Sequence, residues 1–215
     1  MKLPWRTRVR LSAPPPENPL EDPAPLKETY SSPGLEKIVA DFSGDGGVRV
    51  LDLGSTVPEN VAFLARFASE IQIVDAMRES VEADRAIRIL EGLLPEYPGT
   101  IDLVLLWDCL NYLSPDEGRA LVAAIAPLCR PEARCLAMVF TSETMPASPL
   151  KYRVVDERHL LYERSTSEET GSPQMPPAAV ERVLGEFSLE HAFVLRNGIR
   201  EFVAIRDAAG TKHSG

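Results

Sequence analysis

The sequence predicts an α/β fold: a mostly parallel, doubly wound sheet that closes with a C-terminal antiparallel hairpin. Residues 48–53 form an apolar run of strand length, followed by a glycine and then by a helical pattern from Pro58. Apolar strand-length runs then alternate with helical patterns, which indicates parallel strands joined by helical crossovers. Near the end, two apolar runs flank Asn197-Gly198. Both of these residues readily adopt the positive φ that a tight hairpin turn requires.

Length and charge restrict the class of protein. The chain has 215 residues and a mass of 23.7 kDa, which suits one domain with a sizeable core. Its formal net charge of -9 argues against nucleic-acid binding, because contacts with phosphates need a basic surface. The apolar runs are too short to span a bilayer, and no apolar signal region follows Met1-Lys2. We therefore expect a cytoplasmic protein that binds neither nucleic acid nor membrane.

The three cysteines favour a structural interpretation. Cys109, Cys129 and Cys135 are odd in number, lack C-x-x-C spacing and lie in or beside apolar runs. We predict buried, reduced thiols and no metal site.

The chain divides into an arm, a domain and a tail. Residues 1–33 are proline-rich and predict an extended N-terminal arm that could dock on the domain. Within this arm, residues 6–11 alternate and predict a short edge strand. Residues 34–206 form the predicted domain, with an insertion at 141–177, and residues 207–215 a flexible tail. The apolar positions of residues 34–42 recur at helical spacing and predict a covering helix.

The next region contains the first two predicted strands. The first ends near Asp52, and the second, residues 71–74, ends at Asp75. Residues 77–94 fit two interpretations. They form one long helix, or a helix ends near Arg85 and residues 87–90 form a short strand that closes at Glu91. Periodicity does not separate the two.

The second half continues the alternation. Residues 101–107 are the next buried strand and end at Asp108. Ser114-Pro115 predicts a helix start, with serine as N-cap, and Pro131 is expected to stop that helix. Residues 134–140 are another strand and residues 177–187 a helix. Inside the insertion, residues 152–155 and 160–162 predict a hairpin, and residues 165–172 a polar, mobile stretch.

With these residues in place, the chain resembles the class I S-adenosylmethionine-dependent methyltransferases, which are Rossmann-like. The resemblance covers residues 34–206 and rests on Val50-Leu51-Asp52-Leu53-Gly54, on Asp75, on residues 101–113 and on the final hairpin. It implies S-adenosyl-L-methionine as the cofactor. It also implies a small molecule or a protein as the methyl acceptor.

The resemblance further implies roles for single residues. Gly54 would let the backbone approach the methionine part of the cofactor, and Asp75 would bind the ribose hydroxyls. Glu91 would face the adenine if residues 87–90 are a strand. The predicted cofactor-binding residues are Asp52, Gly54, Ser55, Asp75 and Asp108, and the predicted substrate-binding residues are Asn111 and Tyr112. Asp108, Tyr112 and His159 are candidate general bases, without a specific catalytic assignment.

One turn departs from the family pattern. The family repeats glycine at every second position after the first strand, whereas this chain has Thr56 and Pro58. Neither residue readily adopts a positive φ or leaves space for a ligand, and Pro58 removes a donor. Thr56-x-x-Glu59 predicts a capping box, and Glu59 would place negative charge near the cofactor carboxylate.

Two functions therefore remain open. The first is a methyltransferase. The second is a catalytically inactive protein that keeps the fold as a binding or assembly module. An NAD-dependent dehydrogenase is disfavoured, because the glycine fingerprint of that class fails more completely. The sequence indicates no oligomeric state.

Overall fold

A six-stranded sheet forms the centre of the molecule. In the computed structural model, which describes residues 26–42, 47–76 and 82–208, its strand order is β10-β11-β5-β4-β2-β3. Strands β2, β3, β4 and β5 are parallel, and β11 runs antiparallel to both β5 and β10. The predicted mostly parallel sheet with a C-terminal antiparallel hairpin is confirmed. Its bounds are β2 Val48–Asp52, β3 Ala68–Ile73, β4 Ile101–Trp107, β5 Cys129–Phe140, β10 Phe187–Val194 and β11 Ile199–Arg206.

Helices cover this sheet, and its central strand is buried along its whole length. All seven residues of β4 are buried, as expected for a parallel strand with helices on both faces. Helices α3, α4 and α5 pack side by side, whereas α1 packs on β5, β10 and β11. The helices are α1 Pro33–Phe42, α2 Pro58–Leu64, α3 Ala83–Leu93, α4 Pro115–Ile125 and α5 Pro177–Leu184.

The insertion builds two small sheets beside the large one. Its predicted hairpin is present as β7 Lys151–Val154 and β8 His159–Glu163, paired antiparallel. A strand that precedes α1, β1 Lys27–Ser31, pairs with the other side of β8. The second sheet pairs β6 Thr144–Pro146 with β9 Glu169–Gly171. The mobility expected for residues 165–172 stays a prediction.

One open alternative is decided and one expectation is corrected. Residues 87–90 are helical, because Ala83, Ala86 and Leu90 form one buried face of α3. Pro131 does not stop α4, which ends at Ile125 and passes through a 3-10 turn; Pro131 lies inside β5. It is tolerated there because the pairing of β5 with β4 is irregular between Cys129 and Arg134. The edge strand predicted for residues 6–11 and the start of the 77–94 region lie outside the described residues.

The three cysteines are buried and free, which confirms the prediction of buried thiols. None of the helices in the described part of the chain is both long and apolar enough to cross a membrane.

Candidate functional site

Three carboxylates follow three adjacent strands at one edge of the sheet. Asp52 ends β2, Asp75 follows β3 and Asp108 follows β4. Since the three strands are parallel, their carboxyl ends meet at the same edge, where open α/β sheets bind their ligands. We call the space above this edge the cleft.

The Trp107 side chain fills the space beside the glycine turn that follows β2. The backbone N–H of Gly54 and the indole Nε1–H of Trp107 both donate to Oδ1 of Asp52, at 2.8 and 2.7 Å. A Cβ added to Gly54 would lie 2.6 Å from Nε1 of Trp107. Gly54 is therefore required by the indole, which fills the space against the backbone. Burial raises the pKa of Asp52 to about 6, against the lowering effect of the two hydrogen bonds.

The insertion completes the filling of the cleft. The ring of Tyr152, on β7, stacks on the Trp107 indole with centroids 5.2 Å apart and planes 11° from parallel. The remaining cavity has a volume of about 10 Å³, close to the space that one water molecule needs. It is lined by Gly54, Ser55, Asn60, Trp107, Leu150 and Tyr152.

The first turn of helix α2 contacts the insertion through its side chains. Its N-cap is Val57 and no side chain caps it, so the predicted Thr56–Glu59 capping box is wrong. Glu59 forms an ion pair with Arg153 at 3.0 Å, which offsets its negative charge. Asn60, which is buried, bonds to the backbone of β7.

Asp75 follows β3 and lies against the end of β2. The N–H groups on either side of it, from Val74 and Ala76, donate to the backbone of Asp52 and Leu53 and so fix its position against β2. It is half-buried, has a φ of 48° and accepts a 3.3 Å bond from Arg85 at its backbone oxygen. Ribose binding by Asp75 and cofactor contact by Ser55 stay predictions.

Asp108 is buried beneath the insertion. Its Oδ2 accepts the backbone N–H of Leu150 at 3.0 Å, and burial raises its pKa to about 7. Its Oδ1 and the hydroxyl of Tyr152 are both buried without a hydrogen-bond partner among the described residues. Both residues line a tightly packed region with no room for a water molecule, whose other walls are Met138, Val139, Phe140 and Ile199.

The two predicted substrate-binding residues make structural contacts. The amide of Asn111 donates to the backbone of Asp108 and Met138 and accepts from Phe140, which ties the turn after β4 to β5. The hydroxyl of Tyr112 bonds to backbone oxygens of Pro146 and Ser148, in the insertion. Substrate contact by either residue stays a prediction that these bonds do not support.

Two other candidates lie away from the cleft. Glu91 is an exposed residue of α3, so its conditional role at an adenine, which required a strand, is excluded. His159 is half-exposed at the start of β8, and its ring bonds to Asp156 at 2.9 Å. In the described ranges, no group of three or more His, Cys, Asp or Glu side chains could hold a metal ion.

Sequence reasoning missed the three residues that fill the cleft. The sequence pattern places Trp107 at the end of a strand, Asn60 in a helix and Tyr152 in a hairpin. None of these positions indicates that the side chain enters the cleft. Trp107 did carry a sequence signal. It is a large aromatic residue at the end of a predicted strand, directly before the predicted site residue Asp108.

The cleft as described does not fit S-adenosylmethionine. Its cavity, about 10 Å³, is far smaller than the roughly 300 Å³ at which small-molecule sites begin. The indole of Trp107 occupies the surface of Gly54 that the methionine part would need. The acid expected at the adenine lies on a helix.

Solved structures share this architecture. A protein from work on the conversion of a disulfide bond into a thioacetal group during echinomycin biosynthesis matches with a TM-score of 0.50 and 12% identity, over 82% of each chain. A Burkholderia thailandensis 1,6-didemethyltoxoflavin-N1-methyltransferase, solved with S-adenosylhomocysteine, matches at 0.48 and 19%, over 82% of this chain and 78% of that one. Magnesium protoporphyrin IX methyltransferase from Synechocystis, with bound S-adenosylmethionine, matches at 0.46 and 17%, over 80% and 78%.

The chain therefore has the class I methyltransferase fold by its strand order, a parallel sheet closed by an antiparallel C-terminal hairpin. The first of these structures shares this architecture. At these identities the likeness shows the fold alone. No protein-family model and no curated protein matches the chain.

Proposed function

We propose that this chain is a catalytically inactive methyltransferase-fold protein that acts as a binding or assembly module. The observation that carries the proposal is the Trp107 indole lying against the backbone of Gly54, where the methionine part of the cofactor would bind. Tyr152 stacks on that indole, so the space is filled by packed side chains.

We propose that this module binds a protein partner and that it is located in the cytoplasm. The insertion and β1 form a separate small sheet that adds surface beside the central one. Three free thiols support a reducing compartment, where disulfides do not form.

A second candidate is an S-adenosylmethionine-dependent methyltransferase acting on a small molecule or protein. Asp75 favours it, because this residue follows β3, the position from which an acid holds a nucleotide ribose in sheets of this kind. The raised pKa of Asp108, about 7, would also suit proton transfer near neutral pH. This function requires a cleft wider than the one described.

Titration of the purified full chain with S-adenosylmethionine and S-adenosylhomocysteine separates the two. The inactive protein gives no heat by calorimetry and no change in Tm at millimolar ligand. A ligand present at about 100 times its Kd would add about 2.7 kcal/mol to the free energy of unfolding and raise Tm by several degrees. Such a shift, abolished by Asp75→Ala, would establish the second candidate instead.

A further inference from the structure

We infer that the end of the β10–β11 hairpin forms an anion-binding site, in which the guanidinium of Arg200 and the side-chain amide of Asn197 bind the oxygen atoms of a phosphate or carboxylate group. This site goes beyond the proposed function, since it does not depend on whether the chain transfers methyl groups. It is carried by two buried donors that have no acceptor among the described residues, and by their place at the ligand-binding edge of the sheet.

Arg200 is a half-buried cation without a partner in the described ranges. Its Nε is buried, and its guanidinium forms neither a hydrogen bond nor an ion pair with these residues. The other half-buried arginines of the described chain all have polar partners. Arg206, at the far end of the same strand, bonds to the backbone oxygen of Cys129 and pairs with Glu186 at 3.6 Å. A charged donor that is buried without an acceptor costs free energy, so an acceptor from outside the chain is favoured at Arg200.

The described residues that pair with Arg200 carry no negative charge. Its cross-strand neighbours are Val139 on β5 and Val194 on β10, which are both apolar. The adjacent carboxylate, Glu201, points to the opposite face of the sheet, because successive side chains of a strand alternate. There it accepts the N–H of Gly34 at 2.7 Å. The strands beside Arg200 therefore leave its positive charge available to a ligand.

Asn197 supplies a second unused donor in the same turn. Its Oδ1 accepts the N–H of Ile199 at 3.3 Å, which leaves the N–H groups of Nδ2 for a ligand. Nδ2 is buried and has no acceptor among the described residues. Arg200 follows Asn197 by three positions, so their Cα atoms lie within about 11 Å of each other. This spacing is within the reach of an arginine and an amide that bind one anion.

Hydrogen bonds hold the turn in place against β5. The N–H and the hydroxyl of Thr141 both donate to the oxygen of Gly198, at 2.8 and 3.1 Å. The N–H of Leu195 donates to the oxygen of Ile199 at 2.9 Å and closes the hairpin. Donors on a fixed turn lose little conformational entropy when a ligand binds, which favours binding.

The turn lies at the edge of the sheet where ligands bind. Strand β11 runs antiparallel to β5, and Ile199 pairs with Phe140, the last residue of β5. The start of β11 is therefore level with the carboxyl ends of the parallel strands, at which open α/β sheets bind ligands. A planar guanidinium binds a carboxylate or a phosphate through two parallel hydrogen bonds, and an amide adds a neutral donor. An oxyanion is thus the ligand class that these two groups fit.

Nuclear magnetic resonance tests the site in the full chain. Inorganic phosphate and acetate are titrated separately at constant ionic strength, with sodium chloride as the balancing salt. The N–H signals of Arg200 Nε and of the Asn197 side-chain amide are followed. We expect both signals to shift along one saturating curve at millimolar anion. Tighter binding of phosphate would identify a phosphate group as the preferred ligand, and tighter binding of acetate a carboxylate.

Three variants and a control undergo the same titrations, and the remaining signal of the pair reports binding in each variant. Arg200→Gln removes the charge, and we expect the dissociation constant to rise about tenfold or more, as for the loss of a hydrogen bond to a charged group. Arg200→Lys keeps the charge without the planar fork and should raise it less. Asn197→Asp places a carboxylate in the turn near Arg200 and should abolish binding. Arg88→Gln is the control: it removes the same charge from an exposed position of α3 and should leave the dissociation constant unchanged.

The inference is overturned if neither anion gives a saturating shift in the parent chain, or if Arg200→Gln binds as tightly as Arg88→Gln. The urea midpoint checks that each variant is folded. If Arg200→Gln does not fold, Asn197→Asp decides, because Asp-Gly fits a tight hairpin turn as Asn-Gly does. Binding by Asn197→Asp equal to that of the parent would then refute the site. No methyl donor is present in these titrations, so their outcome is independent of the proposed function.

Discussion

The backbone N–H of Gly34 donates a 2.7 Å hydrogen bond to Oε2 of Glu201, joining the first turn of α1 to the reversed strand β11. Glu201 is fully buried, and burial raises its pKa while the bond from Gly34 lowers it. A carboxylate at a helix N-terminus is favoured by the helix dipole, which offsets part of the cost of burial. The contact fixes α1 on the central sheet.

Gly34→Ala should destabilise the chain. The new Cβ would lie 2.9 Å from Oε2 of Glu201 and 2.9 Å from Leu136, so neighbouring atoms must move. We expect a loss of about 1–3 kcal/mol in the free energy of unfolding, measured by urea titration. Gly92→Ala is the control: Gly92 lies in α3 with open space around it, and the change should stabilise by up to about 1 kcal/mol. Equal effects at the two sites would contradict the close packing of Gly34 against Glu201 and Leu136.

Gly54→Ala should be destabilising for a reason that depends on Trp107. The added Cβ would lie 2.6 Å from Nε1 of the indole, a loss expected to be about 1–3 kcal/mol. In a Trp107→Ala background both obstructing ring atoms, Nε1 and Cδ1, are gone, so the same change should cost less. A double-mutant cycle measures the difference, which we expect to exceed about 0.5 kcal/mol. Additive effects would show that the indole does not occupy this space.

Stability should depend on pH through Asp108. Burial raises the pKa of the folded state to about 7, from 3.8, so the folded chain holds a proton that the unfolded chain releases between these values. The contribution of Asp108 to stability therefore falls as pH rises through this interval and is constant above it. Asp108→Asn removes the ionisation while its amide oxygen can still accept from Leu150.

Asp108→Asn should therefore be more stable than the parent at pH 8, by on the order of 3 kcal/mol, and nearly equal to it at pH 4. Urea titrations at several pH values measure the difference. Asp52, whose pKa is about 6, retains its own pH dependence in both proteins. Parallel profiles for the two would show that Asp108 is not held in a raised-pKa environment.

Ser114→Ala should shorten or loosen α4. The hydroxyl of Ser114 accepts the N–H of Glu117, and the carboxylate of Glu117 accepts the N–H of Ser114. Losing this cap should cost about 1 kcal/mol, measured as a lowered urea midpoint. Glu117→Gln keeps an acceptor at the same place and should cost less. An unchanged midpoint for Ser114→Ala would mean that the cap is not formed in solution.

The fold was largely predictable because its signals are local. Apolar runs gave β2, β4 and β11, Ser114-Pro115 marked the start of α4, and Asn197-Gly198 marked the final hairpin. The ambiguity over residues 87–90 has a physical cause. A short run that alternates isoleucine with arginine fits a strand as well as a helix, and the buried face that decides includes Ala83 and Ala86, outside that run.

The site was much less predictable, because its defining contacts are distant in sequence. Periodicity indicates that Trp107 and Tyr152 are buried, but it does not indicate that they meet although they lie 45 positions apart. Asn60 is a second example, since a polar helix residue gives no sign that it will bond to the backbone of a strand 92 residues later. The acids at the strand ends could be recognised in the sequence, whereas the residues of the insertion that cover them could not.

The position of β1 bears on how this protein is made. This strand lies before α1, yet its partner β8 ends at Glu163, and Tyr162 hydrogen-bonds to Glu28. During translation, β2, α2, β3 and β4 emerge from the ribosome before the segment that fills the cleft. A nascent chain therefore passes through a stage in which Trp107 has no aromatic cover, and its closing surface arrives only with the second half of the polypeptide.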